Sequence, residues 1–300
     1  MATGSNGAST GGSGALRVTQ LLESAIRDIG IPPCPVILDR INAEMHKDEP
    51  DFNHLAQIIG SDVGLAASLI SIANSSYFGL RNRVRSVNEA LMMLGLDVAS
   101  HAIAGLILRK LFPAIPVLER FWDASACIAR LSGWLAQQGG IGIKIRPDDA
   151  YTFGLFRDCG IAVLLKRYTY YQVVLKEANN DEKNCFTDIE ERVFPTNHAV
   201  IGCLLAQSWY LPEEICLAIR HHHDYPVLSG QSRTATLPVA TLGLIAVAQF
   251  AENLVQHHTG LCQTREWPKA GAACLHLLGI ADKGLARLYA ESATVIAAKE

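Results

Sequence analysis

The sequence lacks several features that assign a protein quickly. Its 300 residues hold no Cys-x-x-Cys pair, and the eight cysteines are scattered. A disulfide framework belongs to shorter, secreted chains, so these read as reduced thiols used as small core residues. Charge of one sign is not in excess. The net charge of −3 and pI near 6.4 provide no basic field for nucleic acid or an anionic membrane. The opening "MATGSNGASTGGSG" has no apolar core, so residues 1–14 are expected to be a flexible Gly/Ser-rich tail, neither signal peptide nor anchor. The most apolar stretch, "HAIAGLILRKLFPAIPVL", is interrupted by Arg109, Lys110 and two prolines, and no membrane span is expected from it. "GGIGIK", residues 139–144, has no preceding strand and no following GK[ST], so no phosphate loop is read there. A cytoplasmic protein is expected.

Strand patterning is scarce as well. Apolar residues recur at three and four rather than two. "SDVGLAASLISIANS" is expected to start at a Ser61 N-cap, with Leu65, Leu69, Ile72 and Ala73 on one face. Ser86 and Glu89 form a capping-box pattern, and Thr187 and Glu190 a second. Pro147 with Asp148 and Asp149, and Pro212 with Glu213 and Glu214, match the positive end of a helix dipole. No repeat of fixed period is present. The fold class expected is all-α, with more than ten helices and a lobe boundary near "FPAIPVLE".

The stretch "GLFRDCG", residues 154–160, places Arg157, Asp158 and Cys159 between two glycines. On helical spacing, Asp158 shares a face with Leu155, Ile161, Ala162 and Leu165. His198 shares one with Ile201, Gly202 and Leu205, and His222 one with Ile215, Ala218 and Ile219. Inward carboxylates and imidazoles need partners, either each other or a metal. The run His221, His222, His223 cannot converge entirely, because successive helical residues lie about 100° apart. Cys159 is read as a buried helical thiol; its alternative is a thiol with lowered pKa beside Arg157.

At these residues the chain resembles the HDOD family, the HD-related output domains of bacterial signalling proteins. The resemblance runs over most of residues 20–260. It is carried by "IPPCPVILDRI", "LAQIIGSDVGLAASLISIANSSYFGL", "RVRSVNEALMMLGLDVA" and "WYLPEEICLAIRHHH". It implies a helical N-terminal lobe, here residues 15–112, packed on an HD-like helical bundle, here 113–300. The parent HD superfamily comprises metal-dependent phosphohydrolases. Their ligands are a His, a His-Asp doublet, further His residues in many members, and a final Asp. In this sequence the first His position falls at Ala124, the doublet is Arg157-Asp158, and the final Asp falls at Gln249. His198, His222 and His223 keep histidine positions.

Ala124 offers no ligand, Gln249 at best a neutral carbonyl, and Arg157 no lone pair. Arg157 is expected either to replace a metal electrostatically or to turn outward. The vestigial pocket would hold no metal and no other cofactor, and the expected function is non-catalytic signalling through protein contacts. Receiver, GGDEF, EAL or kinase proteins are the partner classes that the resemblance implies for what reads as a stand-alone domain. A degenerate phosphohydrolase and a nucleotide-binding sensor without turnover are the alternatives. A second candidate surface is "GLRNRVRSV", where Arg81, Arg83 and Arg85 alternate and could meet an anion or an acidic partner; Tyr77 and Phe78 precede it.

Overall fold

The computed structural model describes residues 29–75, 83–112, 116–138, 141–231 and 236–297. The chain divides into two units, residues 1–32 and 33–300. The second holds all the helices named below. The expected tail at 1–14, together with Tyr77, Phe78 and Arg81, lies outside the described residues, and the boundary expected at 112/113 adjoins an undescribed stretch.

All regular structure among the described residues is helical, with no strand. Five helices come first: α1 (Val36–Met45), α2 (Phe52–Gly60), α3 (Val63–Ala73), α4 (Val87–Leu94) and α5 (Leu96–Leu111). They pack on one another, and α5 also packs on α7 of the bundle. The bundle comprises α6 (Pro116–Ala136), α7 (Pro147–Phe156), α8 (Cys159–Arg167), α9 (Tyr171–Asn180), α10 (Phe186–Glu191), α11 (His198–Ser208) and α12 (Glu213–His221). After a 3-10 turn (Tyr225–Ser229) it continues with α13 (Val239–Thr259), α14 (Trp267–Leu278) and α15 (Asp282–Ala297). Helices α6, α7 and α13 form its centre, with α8, α11 and α12 layered beside them.

Local chemistry sets most helix starts. Asp62, not Ser61, caps α3, accepting the Leu65 N–H at 3.0 Å; Ser61 instead closes α2. Ser86 caps α4 through the Glu89 N–H, while Glu89 reaches one residue further back than a capping box requires, to the Arg85 N–H. Pro147 opens α7 at its first turn, where the missing N–H removes no bond. The expected box at Thr187 and Glu190 does not form, because α10 starts earlier, at Phe186. On α3, Leu65, Leu69 and Ala73 are buried and Ile72 is half-buried.

Helix α13 is the one described helix long and apolar enough to cross a bilayer, and the sequence reading, fixed on 101–118, passed it over. Its apolar window is 72% buried inside the protein. Leu244, Val247, Phe250 and Leu254 fill the core, each stabilising by about 1.5–3 kcal/mol on burial. Tyr210 joins the N-terminal helices to the bundle. Its backbone takes φ +63°, uncommon for a non-glycine residue, and its hydroxyl donates to Asp39 of α1.

Candidate functional site

Arg157 and Asp158 form the turn between α7 and α8, so the two side chains do not follow one continuous helical face. This corrects the helical register read for Asp158. Asp158 occupies the N-cap position of α8, yet its carboxylate makes no cap bond. It points into the bundle instead. A close helix contact makes this geometry: a Cβ on Gly160 would overlap the His198 carbonyl, so only glycine lets α8 lie this close to α11. The contact brings Asp158 to His198.

One oxygen of Asp158 faces histidines. Oδ1 lies 3.1 Å from His222 Nε2 and 3.6 Å from His198 Nε2, and the two Nε2 atoms are 3.2 Å apart. The remaining ring nitrogens fix the tautomers. His198 donates its Nδ1–H to Glu190 at 2.7 Å, His222 to the Ile219 carbonyl at 2.8 Å, and His223 to Glu266 at 2.8 Å. A neutral imidazole held in this way keeps its lone pair on Nε2, and a second proton, which Glu190 favours at His198, would occupy it. Asp158, His198, His222 and His223 present one donor atom each within 4.8 Å of one another. Burial, then His223, pushes His222 down to about 3. Burial would lower His198 too, but Glu190 holds it above its ordinary value.

The other oxygen of Asp158 faces Arg157. The guanidinium donates through Nε at 3.1 Å and through one terminal NH2 at 2.8 Å, both to Oδ2. The same NH2 group lies 3.1 Å from Glu252, which accepts from Gln249 at 2.9 Å. Arg157 thus points inward, with 4% of its side chain exposed. Burial opposes its charge, but Asp158 and Glu252 raise its pKa above the ordinary value. Burial would likewise raise the Asp158 carboxyl. Arg157 above all holds it well below the usual carboxylate range.

The site therefore has two unlike halves. Arg157 lies in the half toward α13, paired with Asp158 and Glu252, and not in the space among the histidines. There the donors fit a cation. A tetrahedral shell with bonds of about 2.0–2.1 Å puts its ligands about 3.3 Å apart. The separations among Asp158, His198 and His222, 3.1, 3.2 and 3.6 Å, bracket that spacing, and His223 brings its donor within 4.8 Å of each. Asp158, His198, His222 and His223 would hold one ion. Such an ion would supply a Lewis acid.

Ala124 is buried and lines a cavity of about 340 Å³ with Phe121, Ile161 and Phe186 as apolar wall and Arg157, Asp158, Glu252 and Glu266 at its polar end. His221 stays outside the cluster, 3.6 Å from Asp224. Burial raises the Cys159 thiol, against the alternative of a lowered pKa. Arg83 and Arg85 are exposed on either side of buried Val84, whose backbone is bracketed by the Asn74 side chain at 2.8 Å. They contribute nothing to the histidine cluster. Glu252 and Glu266 carry no pattern in the sequence that marks them, and Glu190 stands in a capping pattern there. Glu190 sits three residues into the capping pattern but eight before His198, and its burial was the missing signal.

An all-helical bundle that gathers an aspartate and three histidines into one buried cluster defines a protein of the HD-like class. The chain belongs to the HDOD family, whose domain model matches residues 31–225. Gln249 and Glu252 lie beyond the matched span. An uncharacterized protein of Treponema pallidum (strain Nichols) is 27% identical over 201 residues, 65% of this chain, which spans 38% of that protein's length. An HDOD domain protein of unknown function from Geobacter sulfurreducens superposes with a TM-score of 0.64 at 23% identity, covering 95% of this chain and 97% of its own. A Marinobacter aquaeolei VT8 protein named for signal transduction gives 0.65 at 20% identity, covering 98% and 66%. A Shewanella amazonensis SB2B protein named as a metal-dependent phosphohydrolase gives 0.62 at 17% identity, covering 93% and 97%. At these identities the likeness establishes the fold.

Proposed function

We propose that this chain is a regulatory HDOD module that signals through protein contacts in the cytoplasm and does not hydrolyse phosphate esters. The observation that carries this reading is the buried Arg157 on Asp158 and Glu252. A two-metal hydrolase needs a second cation bridged to the same aspartate. Here a guanidinium already takes the second oxygen of that carboxylate, and it has no lone pair to give. Ala124 and Gln249 add no anionic ligand. The histidine half supports the same conclusion, because four protein donors suit a closed structural site better than a catalytic site with a free position.

The nucleotide-sensor alternative loses support from charge. Arg157 is engaged by both Asp158 and Glu252, and the cavity lining sets Asp158, Glu252 and Glu266 against Arg120 and Arg157. The hydrolase alternative has the donors for one ion, but four protein donors leave that ion no free position. The signalling partners, whether receiver, GGDEF, EAL or kinase proteins, follow from the family rather than from any surface of this chain.

The test is a phosphodiesterase and phosphatase screen with Mn²⁺, Fe²⁺ or Zn²⁺ against mononucleotides and cyclic dinucleotides. Product formation should stay at the no-protein level. Turnover that disappears in Asp158→Ala would overturn the reading.

A further inference from the structure

Two of the three inward histidines are backed by the same arrangement, built from unrelated parts of the chain. Behind His198 stands Glu190 of α10. Its Oε2 accepts the His198 Nδ1–H at 2.7 Å and faces the His198 backbone N–H at 3.3 Å, and its Oε1 accepts the Tyr171 hydroxyl. Behind His223 stands Glu266, at the start of α14. Its Oε2 accepts the His223 Nδ1–H at 2.8 Å together with the Tyr225 hydroxyl, and its Oε1 accepts Lys269 at 2.7 Å. Glu190 and Glu266 are fully buried or nearly so. Burying two carboxylates is unfavourable unless each is fully hydrogen-bonded, and here each is.

We propose that Tyr171–Glu190 and Tyr225–Glu266 are positioning pairs that hold His198 and His223 as Nε2 ligands for a single divalent cation, shared with His222 and Asp158. The inference rests on the one-ion reading of the histidine half and extends it to four residues outside the donor set. A carboxylate behind an imidazole fixes the tautomer and the ring plane and makes the far nitrogen a better donor. His222 has a backbone carbonyl in that role, so its orientation comes from the α12 terminus itself. The pairs also explain why Glu190, Glu266 and Tyr171 are buried at this depth and why half-buried Tyr225 turns its hydroxyl inward.

The two pairs should not respond equally to amide substitution. In Glu266→Gln, the oxygen is held on the Lys269 side, because an ammonium accepts nothing. The new NH2 group then faces His223 and turns it to the Nε2–H tautomer, which has no lone pair for an ion. In Glu190→Gln, the Tyr171 hydroxyl can rotate to accept, and the oxygen can stay on His198. Glu266→Gln is thus the severe variant and Glu190→Gln the mild one.

The test is titration of chelator-treated full-length protein with Zn²⁺ and Co²⁺, followed by long-range proton–nitrogen spectra of the Zn²⁺-loaded protein. Wild type should bind one ion per chain and show His198, His222 and His223 protonated at Nδ1. Ion affinity should fall about 10–100-fold in Glu266→Gln, and less in Glu190→Gln. Absence of any stoichiometric ion in wild type would refute the one-ion reading and the proposal with it. One bound ion with unchanged affinity in both variants would spare that reading and overturn the positioning role alone. Should Glu266→Gln fail to fold, the wild-type spectrum decides: Nδ1 ligation or Nε2–H at His198 or His223 contradicts the proposal.

Discussion

The two faces of the Asp158 carboxylate differ in what they have kept. Toward α11 and α12, Oδ1 meets two imidazole nitrogens at close to ligand spacing. Toward α13, Oδ2 meets a guanidinium. One carboxylate thus divides an ion-ready half from a half that is permanently charge-compensated. The same aspartate can serve both halves because each of its oxygens has its own partners, imidazoles on one side and a guanidinium on the other.

The largest break in this comparison is Arg157→Ala. It leaves Asp158 and Glu252 buried without their shared cation, and unfolding free energy at pH 7 should fall by about 3–5 kcal/mol in urea titration. Acid comes next. Burial would raise Glu266, but His223, Lys269 and Tyr225 hold it down at about 2, below the 4.5 of an ordinary glutamate. The unfolded chain therefore takes up the proton first. This contribution is present above about pH 4.5 and is lost as pH falls toward 2, at most about 3 kcal/mol in total. The difference between wild type and Glu266→Gln, followed by circular dichroism across that window, should show the slope in wild type and its absence in the variant.

Gly160→Ala should act on both stability and ion affinity. Its methyl meets a backbone carbonyl that cannot swing away. The cost belongs at the upper end of the about 1–3 kcal/mol typical of overpacking, with weaker Co²⁺ binding as α8 moves off α11. Gln249→Leu is the smallest of the four. It removes one donor to Glu252 in the arginine half, costing about 1 kcal/mol in thermal unfolding, and should leave ion binding unchanged.

Much of this was legible in the sequence, for local reasons. Pro147 and Ser86 mark helix starts because caps are made by neighbours in the chain. The all-α class follows from apolar spacing, and Asp158, His198, His222 and His223 stand out through the HDOD resemblance. The two halves were not legible. Whether Arg157 turns inward depends on the break between α7 and α8, which the pattern "GLFRDCG" reads as continuous helix. Glu190 carries a capping pattern that its actual helix start ignores, so its true partner, eight residues on, was hidden. Glu266 lies 43 residues from His223. Only the docking of α14 beside the 3-10 turn joins them.

The central claim is the division of the site at Asp158. Anomalous X-ray diffraction from crystals of wild-type protein grown with Zn²⁺ tests it most directly. The account predicts one anomalous peak, among Asp158, His198, His222 and His223, with the Arg157 guanidinium still on the far oxygen of Asp158. Two peaks flanking Asp158, or one peak on the α13 side with Arg157 displaced, would contradict it.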